Sequence, residues 1–253
     1  ERNDALIGII KTTFLKRLES SLQAFEVSVE RQLRFQQRFF DLLQRGRLLD
    51  SPTHRKIIAL EEADEPLELI DELIAGLPEV NAGDYDLAAI GKHLAADLRI
   101  LRDLLDWIAI IRGGRGGEAG EDAKLAAVKA ELAGPLKGQK VLLFTYYEDT
   151  ARYLHAALSE DQDWLARAGR PAIGLISGHS DLREREQLIK RFAPVANTPE
   201  TEEGLQERRR LQAAEVQLLI CTDVLSEGQN LQDAGVVVNY DLHWNPVRMI
   251  QRA

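Results

Sequence analysis

The residues best placed to do chemistry lie near the end of the chain, where an apolar run stops abruptly in small and polar residues. The run VQLLIC, residues 216–221, precedes the polar stretch from Thr222 to Asn230, and a second apolar run, GVVVNYDL, begins at Gly235. Apolar runs of this length between turn signals are typical of strands that are buried on both faces, as in a parallel sheet. Open parallel sheets bind ligands just beyond the carboxyl ends of their strands. We therefore expect residues 222–230 to form part of a ligand-binding edge.

A turn of small residues follows another strand-like run, PAIGLIS, and leads into a predicted helix. The turn is Ser177-Gly178-His179, and amide N–H groups at the start of a helix suit a phosphate. Ser180 or Asp181 would equally serve as an ordinary N-cap, so two interpretations of this turn stay open. His179 is not predicted to act as a general base, because the sequence beside it offers no evident carboxylate or nucleophile.

The composition excludes several other kinds of chemistry. The formal net charge of −9 argues against a surface coated in basic residues, but a local phosphate track of hydroxyls and backbone amides remains compatible with it. The single cysteine, Cys221, rules out an internal disulfide and is predicted to be a buried strand residue. Five scattered histidines and one cysteine form no zinc pattern, and no metal site is predicted. No apolar run is long enough to span a bilayer, so we predict no membrane association and a cytoplasmic location.

Two long amphipathic helices are predicted in the first half of the chain. Residues 4–45 contain heptad-spaced apolar residues and no internal proline or glycine after Lys11, which predicts one very long helix. A second long helix is predicted over 85–112, with a short one at 66–75 between them. The two long helices could pack antiparallel as a hairpin. Trp107 is predicted to pack in the core or at an interface rather than to stack on a base.

The pattern changes after a glycine-rich stretch at residues 113–120, which we interpret as a linker and not as a phosphate-binding loop. From residue 121 strands and helices alternate, which predicts an α/β domain with a parallel sheet and helices on both faces. The polar insertion at 193–214 is expected to be a mobile loop with a short helix. The predicted domains are therefore a helical subdomain at 1–112, the linker, and an α/β domain at 121–253.

Three blocks of the α/β half resemble the motifs of superfamily-two helicases and translocases. TDVLSEGQNLQD, from Thr222, resembles motif V, and YDLHWNP followed by QRA resembles the run into motif VI. LLFTYY, which contains Thr145 and Tyr146, resembles motif IV. The Trp244-Asn245-Pro246 element is similar to that of the Swi/Snf-like branch, in particular its bacterial members. The resemblance implies the second RecA-like lobe of such an enzyme, preceded by a helical insert.

The resemblance also implies roles for individual residues. Thr222 would contact a backbone phosphate through its hydroxyl, as part of a nucleic-acid-binding set that comprises Thr145, Tyr146, Ser177, Gly178, His179, Thr222 and Ser226. The cleft that closes on ATP would be lined from this side by Glu227, Gly228, Asn230, Gln251 and Arg252. No catalytic residue is predicted within the chain, because the arginine finger of motif VI would follow Ala253.

The resemblance places ATP and Mg²⁺ in the full-length enzyme, with the first RecA-like lobe expected upstream of Glu1. No phosphate-binding G-x-x-x-x-G-K-[ST] sequence occurs in the chain, so it is predicted to be inactive alone. The expected partner is nucleic acid, with duplex DNA favoured over RNA. The alternative hypothesis is a non-enzymatic module that binds nucleic acid or protein through the helical hairpin.

Overall fold

The computed structural model describes residues 2–47, 52–53, 55–57, 72–77, 85–112, 122–178, 180–222 and 230–241, without the side chains of residues 2–10. The chain forms two compact units, one of Glu1–Phe25 with Gly120–Ala253 and the other of Glu26–Ala119. The first helix therefore belongs to the same unit as the α/β half, whereas the sequence places it with the helical subdomain.

The helices and strands alternate in the second half of the chain as predicted. The helices are α1 (Arg2–Ser20), α2 (Leu22–Gln44), α3 (Leu87–Ile111), α4 (Ala123–Ala133), α5 (Glu148–Ser159), α6 (Gln162–Ala168), α7 (Leu182–Phe192) and α8 (Glu202–Ala213). The strands are β1 (Val141–Phe144), β2 (Ile173–Ile176), β3 (Leu218–Cys221) and β4 (Val236–Asn239). Among the predicted elements, α3 has nearly the expected bounds, and α6 was not predicted at all.

The strands form a parallel sheet in the order β2-β3-β1-β4. Their register pairs Phe144 with both Cys221 and Asn239, and pairs Ile176 with Cys221. All four carboxyl ends therefore stop at one level. The predicted fold class, a parallel α/β sheet flanked by helices, is confirmed.

Apolar cores cover both faces of the sheet. One core joins β1 and β3 to α4, α5 and α6 through Leu143, Ile220 and Trp164, among others. The other joins the sheet to α7 through Phe144, Leu219 and Phe192. Every residue of β1 and β3 is buried, as expected for strands covered on both faces. Cys221 lies in the second core with no exposed surface, so its prediction as a buried strand residue is confirmed.

The prediction of one unbroken helix over residues 4–45 is wrong, because the chain leaves the helical conformation at Ser21. The Ser21 hydroxyl accepts a hydrogen bond from the backbone N–H of Ala24 at 3.0 Å, which is the geometry of an N-cap. Serine at this position satisfies a donor that the first turn of α2 would otherwise leave unpaired. The heptad spacing continues across the break, which is why the pattern alone did not reveal it.

Within the unit Glu26–Ala119, α2 and α3 run antiparallel. Glu26, near the start of α2, pairs with Arg112 after the end of α3 at 2.6 Å. Gln37, further along α2, accepts a hydrogen bond from Arg102 at 2.6 Å. The hairpin prediction is therefore confirmed. Trp107 is 62% exposed, so it does not pack in the core. The other half of its prediction, packing at an interface, stays a prediction.

The insertion at 193–214 contains more regular structure than the sequence suggested. Its helix α8 is 12 residues long and is capped by the hydroxyl of Thr201. Before the helix, the backbone N–H groups of Val195 and Ala196 donate to the carboxylate of Asp233 at 2.8 and 2.9 Å. These bonds fasten the start of the insertion to the segment that precedes β4.

The start of α6 provides a pH-dependent contribution to stability. Asp161 caps α6 through the backbone N–H of Trp164 and pairs with Lys129 at 2.8 Å. The hydrogen bond from Lys129, then that from Trp164, holds the pKa of Asp161 below its usual value. A lowered pKa means that the contribution is complete above the pKa of the unfolded state and is lost as the pH falls below about 4.

We therefore expect Asp161→Asn to flatten the acid side of the stability profile. Between about pH 5 and pH 3, the free energy of unfolding in urea should fall less in this variant than in the unmodified protein. Circular dichroism at several pH values measures it, and Asp163→Asn, an exposed change in the same helix, is the control. An unchanged acid slope in Asp161→Asn would contradict the assignment.

Candidate functional site at the carboxyl edge of the sheet

Three residues with predicted roles meet at one edge of the sheet. Thr145 follows β1, Ser177 follows β2 and Thr222 follows β3. Ladder hydrogen bonds continue one residue past the strands: the N–H of Thr145 donates to Cys221 O at 3.0 Å, and that of Thr222 donates to Ile176 O at 3.2 Å. The parallel topology thus brings together three residues that are far apart in the sequence.

Thr222 occupies the centre of this edge, because β3 lies between β2 and β1. Only 7% of the residue is exposed, and its hydroxyl has no hydrogen-bond partner within the described part of the chain. A buried polar group without a partner costs about 1–3 kcal/mol. Among the described residues nothing accepts a hydrogen bond from this hydroxyl, so its role as a phosphate contact stays a prediction.

Thr145 and Tyr146 are both held by Asp241, which follows β4. The Thr145 hydroxyl donates to the Asp241 carboxylate at 2.6 Å, and the backbone N–H of Tyr146 donates to the same oxygen at 2.9 Å. Thr145 is completely buried, whereas half of Tyr146 is exposed. The Tyr146 ring meets the Tyr147 ring edge to face at 4.8 Å between centroids. Of Thr145 and Tyr146, Tyr146 is therefore the exposed residue.

The turn after β2 is closed by its own serines. The backbone N–H of Ser177 donates to the Ser180 hydroxyl at 2.9 Å, and the Ser177 hydroxyl donates to Glu148 at 3.1 Å. Asp181 caps α7 by accepting from the backbone N–H groups of Arg183 and Glu184, so the capping interpretation is confirmed for Asp181. Gly178 is exposed. Phosphate contact by this turn stays a prediction.

One basic side chain beside this turn was not among the predicted site residues. Arg185, in α7, places its Nη2 3.5 Å from the carbonyl oxygen of Ser177. Its Nε is buried and has no hydrogen-bond partner among the residues that the structure describes. The sequence signal was present in the pattern Arg183-x-Arg185, which follows the Ser-Gly turn. Arg185 adds a positive charge close to Ser177.

Only one residue of the predicted ATP cleft lies within the described residues. The side-chain nitrogen of Asn230 donates to Ala196 O at 2.9 Å. The backbone carbonyl oxygen of Asn230 accepts a hydrogen bond from the side chain of Asn197 at 2.8 Å. The insertion is thus in direct contact with the end of the predicted motif V. The remaining predicted residues lie outside the described part of the chain: His179, Ser226, Glu227, Gly228, Gln251 and Arg252, and the same holds for Asp223 and for Trp244-Asn245-Pro246.

Within the described residues, no group of three or more histidine, cysteine, aspartate or glutamate side chains could hold a metal ion. No helix in the described ranges is both long and apolar enough to cross a membrane.

A parallel sheet that is covered by helices on both faces and carries its polar loops at the carboxyl edge is the architecture of a RecA-like lobe. The family model of the helicase conserved C-terminal domain matches residues 123–253, which is more than half of the chain. The chain therefore belongs to the helicase C-terminal domain family.

Proteins similar to the chain include a fungal helicase and an archaeal helicase domain of known structure. The chain is 30% identical over 142 residues to the ATP-dependent RNA helicase dbp8 of Aspergillus terreus, a match that covers 54% of this chain and 26% of that protein. The chain thus spans about a quarter of the length of this relative. Among solved structures, the Pyrococcus furiosus Hef helicase domain is 20% identical, with a TM-score of 0.39 over 68% of this chain and 29% of that one.

Proposed function

We propose that this chain is the C-terminal half of an ATP-dependent nucleic-acid translocase or helicase of the Swi/Snf-like class. It would supply the second RecA-like lobe with motifs IV and V and the start of motif VI. The observation that carries the proposal is the buried hydroxyl of Thr222 at the centre of the sheet edge, for which the described residues supply no hydrogen-bond partner, in a chain of the helicase C-terminal domain family.

The proposed nucleic-acid contact runs along the sheet edge. The Thr222 hydroxyl would donate to an oxygen of a backbone phosphate, and the exposed Gly178 would let a strand approach the turn after Ser177. Arg185 supplies a positive charge beside that turn. Contacts to phosphate carry no sequence information, so movement along the strand would be largely independent of sequence.

The loop after β1 would complete the contact. Tyr146 presents an exposed ring and Thr145 a buried hydroxyl that already donates to Asp241. We propose that Tyr146 contacts the nucleic acid and that Thr145 stabilises the loop that carries Tyr146. Ser226 and His179 are proposed to join the same contact.

The nucleotide would bind between this lobe and the first lobe. Glu227, Gly228, Asn230, Gln251 and Arg252 are proposed to line the cleft from this side. Of these residues, Asn230 is the one that the structure describes. Its side-chain nitrogen donates to Ala196 O, so the insertion fixes the position of the Asn230 amide at the proposed cleft. ATP and Mg²⁺, when bound, would supply the hydrolysis that opens and closes the cleft. Because the chain carries no G-x-x-x-x-G-K-[ST] phosphate-binding sequence, we propose that it does not turn ATP over alone.

Whether the protein would move along DNA or RNA depends on the branch of helicases to which it belongs. The Trp244-Asn245-Pro246 element supports the Swi/Snf-like branch, and with it duplex DNA as the track. The relative from Aspergillus terreus is named as an RNA helicase, which supports RNA as the alternative. Anisotropy titrations of the full-length protein with duplex DNA and with RNA of equal length separate the two.

Thr222→Ala in the full-length protein tests the function directly. Hydrogen bonds to charged groups contribute about 1.5–3 kcal/mol, so activation of the ATPase by nucleic acid should weaken roughly ten- to a hundredfold. Basal nucleotide binding should be unchanged, because Thr222 is not assigned to the cleft. The measurements are phosphate release as a function of nucleic-acid concentration and nucleotide binding by titration.

Thr222→Ser is the matched control, since it keeps the hydroxyl and removes only a methyl group. It should retain most of the stimulation. Undiminished stimulation in Thr222→Ala would refute the phosphate contact.

The second candidate function is a docking module, and an observation on α3 favours it. Ile100, Trp107 and Ile111 are each more than half exposed, and their spacing places them on one face of that helix. Large exposed apolar side chains grouped on one face are typical of surfaces that bind a partner. A full-length protein whose ATPase shows no response to any nucleic acid would favour this function over the motor.

A further inference from the structure

The carboxylate of Asp241 is the meeting point of three separate segments of the chain. One oxygen, Oδ2, accepts hydrogen bonds from the Thr145 hydroxyl at 2.6 Å, the Tyr146 N–H at 2.9 Å and the Ser20 hydroxyl at 2.8 Å. The other oxygen pairs with Lys124 at 3.0 Å. Only 11% of the Asp241 side chain is exposed. A single carboxylate therefore satisfies four donors.

The junction between α1 and α2 is held at the same place by further polar contacts. The hydroxyls of Ser20 and Ser21 lie 2.7 and 2.8 Å from the hydroxyl of Thr150, and all three residues are buried. The ammonium group of Lys124 donates to the carbonyl oxygens of Glu19 and Ser20 at 2.9 and 3.1 Å. Those carbonyls belong to the last turn of α1, which has no continuing helix to pair them.

A second attachment lies one turn earlier in α1. Arg17 pairs with Asp149 at 2.7 Å, and its guanidinium carbon lies 4.6 Å from the centre of the Tyr147 ring. Tyr147 in turn contacts the ring of Tyr146. The end of α1 is therefore joined to the loop after β1 by two routes, one through the Asp241 carboxylate and one through the Tyr147 ring.

These contacts link two regions that the sequence treats as separate. Ser20 is 221 residues from Asp241, and it belongs to the helical half of the chain by pattern. The loop after β1 belongs to the sheet edge. Because the same carboxylate oxygen accepts from Ser20, Thr145 and Tyr146, a displacement of the loop changes the bond to α1, and a displacement of α1 changes the bonds to the loop.

We propose that Asp241 is a positioning residue that couples the docking of α1 to the conformation of the loop after β1. The functional part of this inference rests on the proposed function, which places nucleic acid against Tyr146. Nucleic acid bound at the loop would then stabilise the docked α1, and docking of α1 would strengthen nucleic-acid binding by the same factor, because such coupling is reciprocal.

The coupling can first be tested on this chain without any ligand. In Ser20→Ala the Asp241 carboxylate keeps its other three partners, so the fold should persist. Backbone hydrogen exchange followed by NMR should then show the Tyr146 N–H exchanging roughly two- to tenfold faster, although the mutation lies in α1. Asp241→Asn should accelerate exchange of both Tyr146 and Ser21 roughly tenfold or more, because it replaces a charged acceptor.

Asp163→Asn, which removes one exposed carboxylate from the same unit, is the matched control and should leave both amides unchanged. A purely local role for Ser20 predicts faster exchange in α1 alone, with Tyr146 unaffected. That outcome in Ser20→Ala would overturn the coupling, even if Asp241→Asn failed to fold.

The second arm uses the full-length protein with a short duplex DNA and an RNA of equal length. Nucleic acid should slow exchange of the last turn of α1 in the unmodified protein, and Ser20→Ala should remove at least half of that protection. Unchanged protection in Ser20→Ala would overturn the coupling. If the ligand-free arm succeeds while neither nucleic acid protects α1 and Thr222→Ala leaves the ATPase unaffected, the proposed function fails and the coupling stands.

Discussion

Trp164→Ala is expected to lower the free energy of unfolding of the sheet-containing unit by about 3–5 kcal/mol. Trp164 is 1% exposed and lies in the core that joins β1 and β3 to the helices. Its indole N–H donates to Lys129 O at 2.9 Å, so alanine leaves a cavity and also removes this hydrogen bond. Urea denaturation followed by circular dichroism measures the change.

The chain supplies a matched control in Trp107→Ala. Trp107 is 62% exposed, and surface substitutions usually change stability by no more than about 0.5 kcal/mol. Trp164→Phe should be intermediate, because it keeps most of the ring volume and loses the N–H group. Equal losses in Trp164→Ala and Trp107→Ala would contradict the burial that the structure assigns to Trp164.

Gly204→Ala should destabilise the protein, against the usual effect of this substitution within a helix. Alanine is ordinarily favoured over glycine there by about 0.5–1 kcal/mol. At Gly204, however, an added Cβ would collide with the backbone oxygen of Pro199 and lie 2.9 Å from its ring. Backbone atoms must move to relieve this collision, so a loss of about 1–3 kcal/mol is expected.

The thermal unfolding midpoint measures this change, and exchange of the α8 amides reports whether the insertion is released. Gly91→Ala in α3 is the control, because its added Cβ would meet only the Phe40 ring, at 4.0 Å. The two substitutions should therefore have opposite signs. A stabilising Gly204→Ala would mean that Pro199 does not pack on α8 as described.

The parts of the fold that follow from local pattern were predictable. The apolar runs before Ser177 and Thr222 were predicted as strands, and the turn at Ser177 was predicted to lead into a helix, which is α7. Strand–helix alternation then required a parallel sheet, since right-handed crossovers leave few other arrangements. The placement of the loops after these strands on one edge follows from that topology alone.

Other features depended on contacts that no local window contains. Heptad spacing could not reveal the break at Ser21, because the serines at the break form hydrogen bonds with residues far along the chain. Ser21 lies against Thr150, and Ser20 donates to Asp241. The exposure of Trp107 reflects which face of α3 is covered, and spacing does not say which face that is. The role of Asp241 was hidden for the same reason: its partners lie 95 to 221 residues away.

The sequence by itself determined the alternation of strands and helices, the order of the motifs and hence the helicase class, because these depend on short-range periodicity and on residue types at fixed spacing. Only the tertiary structure decided which of the strand-end hydroxyls are paired by described residues of the lobe and which are not. Thr145 and Thr222 look equivalent in sequence, since each follows a buried strand. Asp241 lies within reach of the Thr145 hydroxyl, whereas no described residue pairs with that of Thr222.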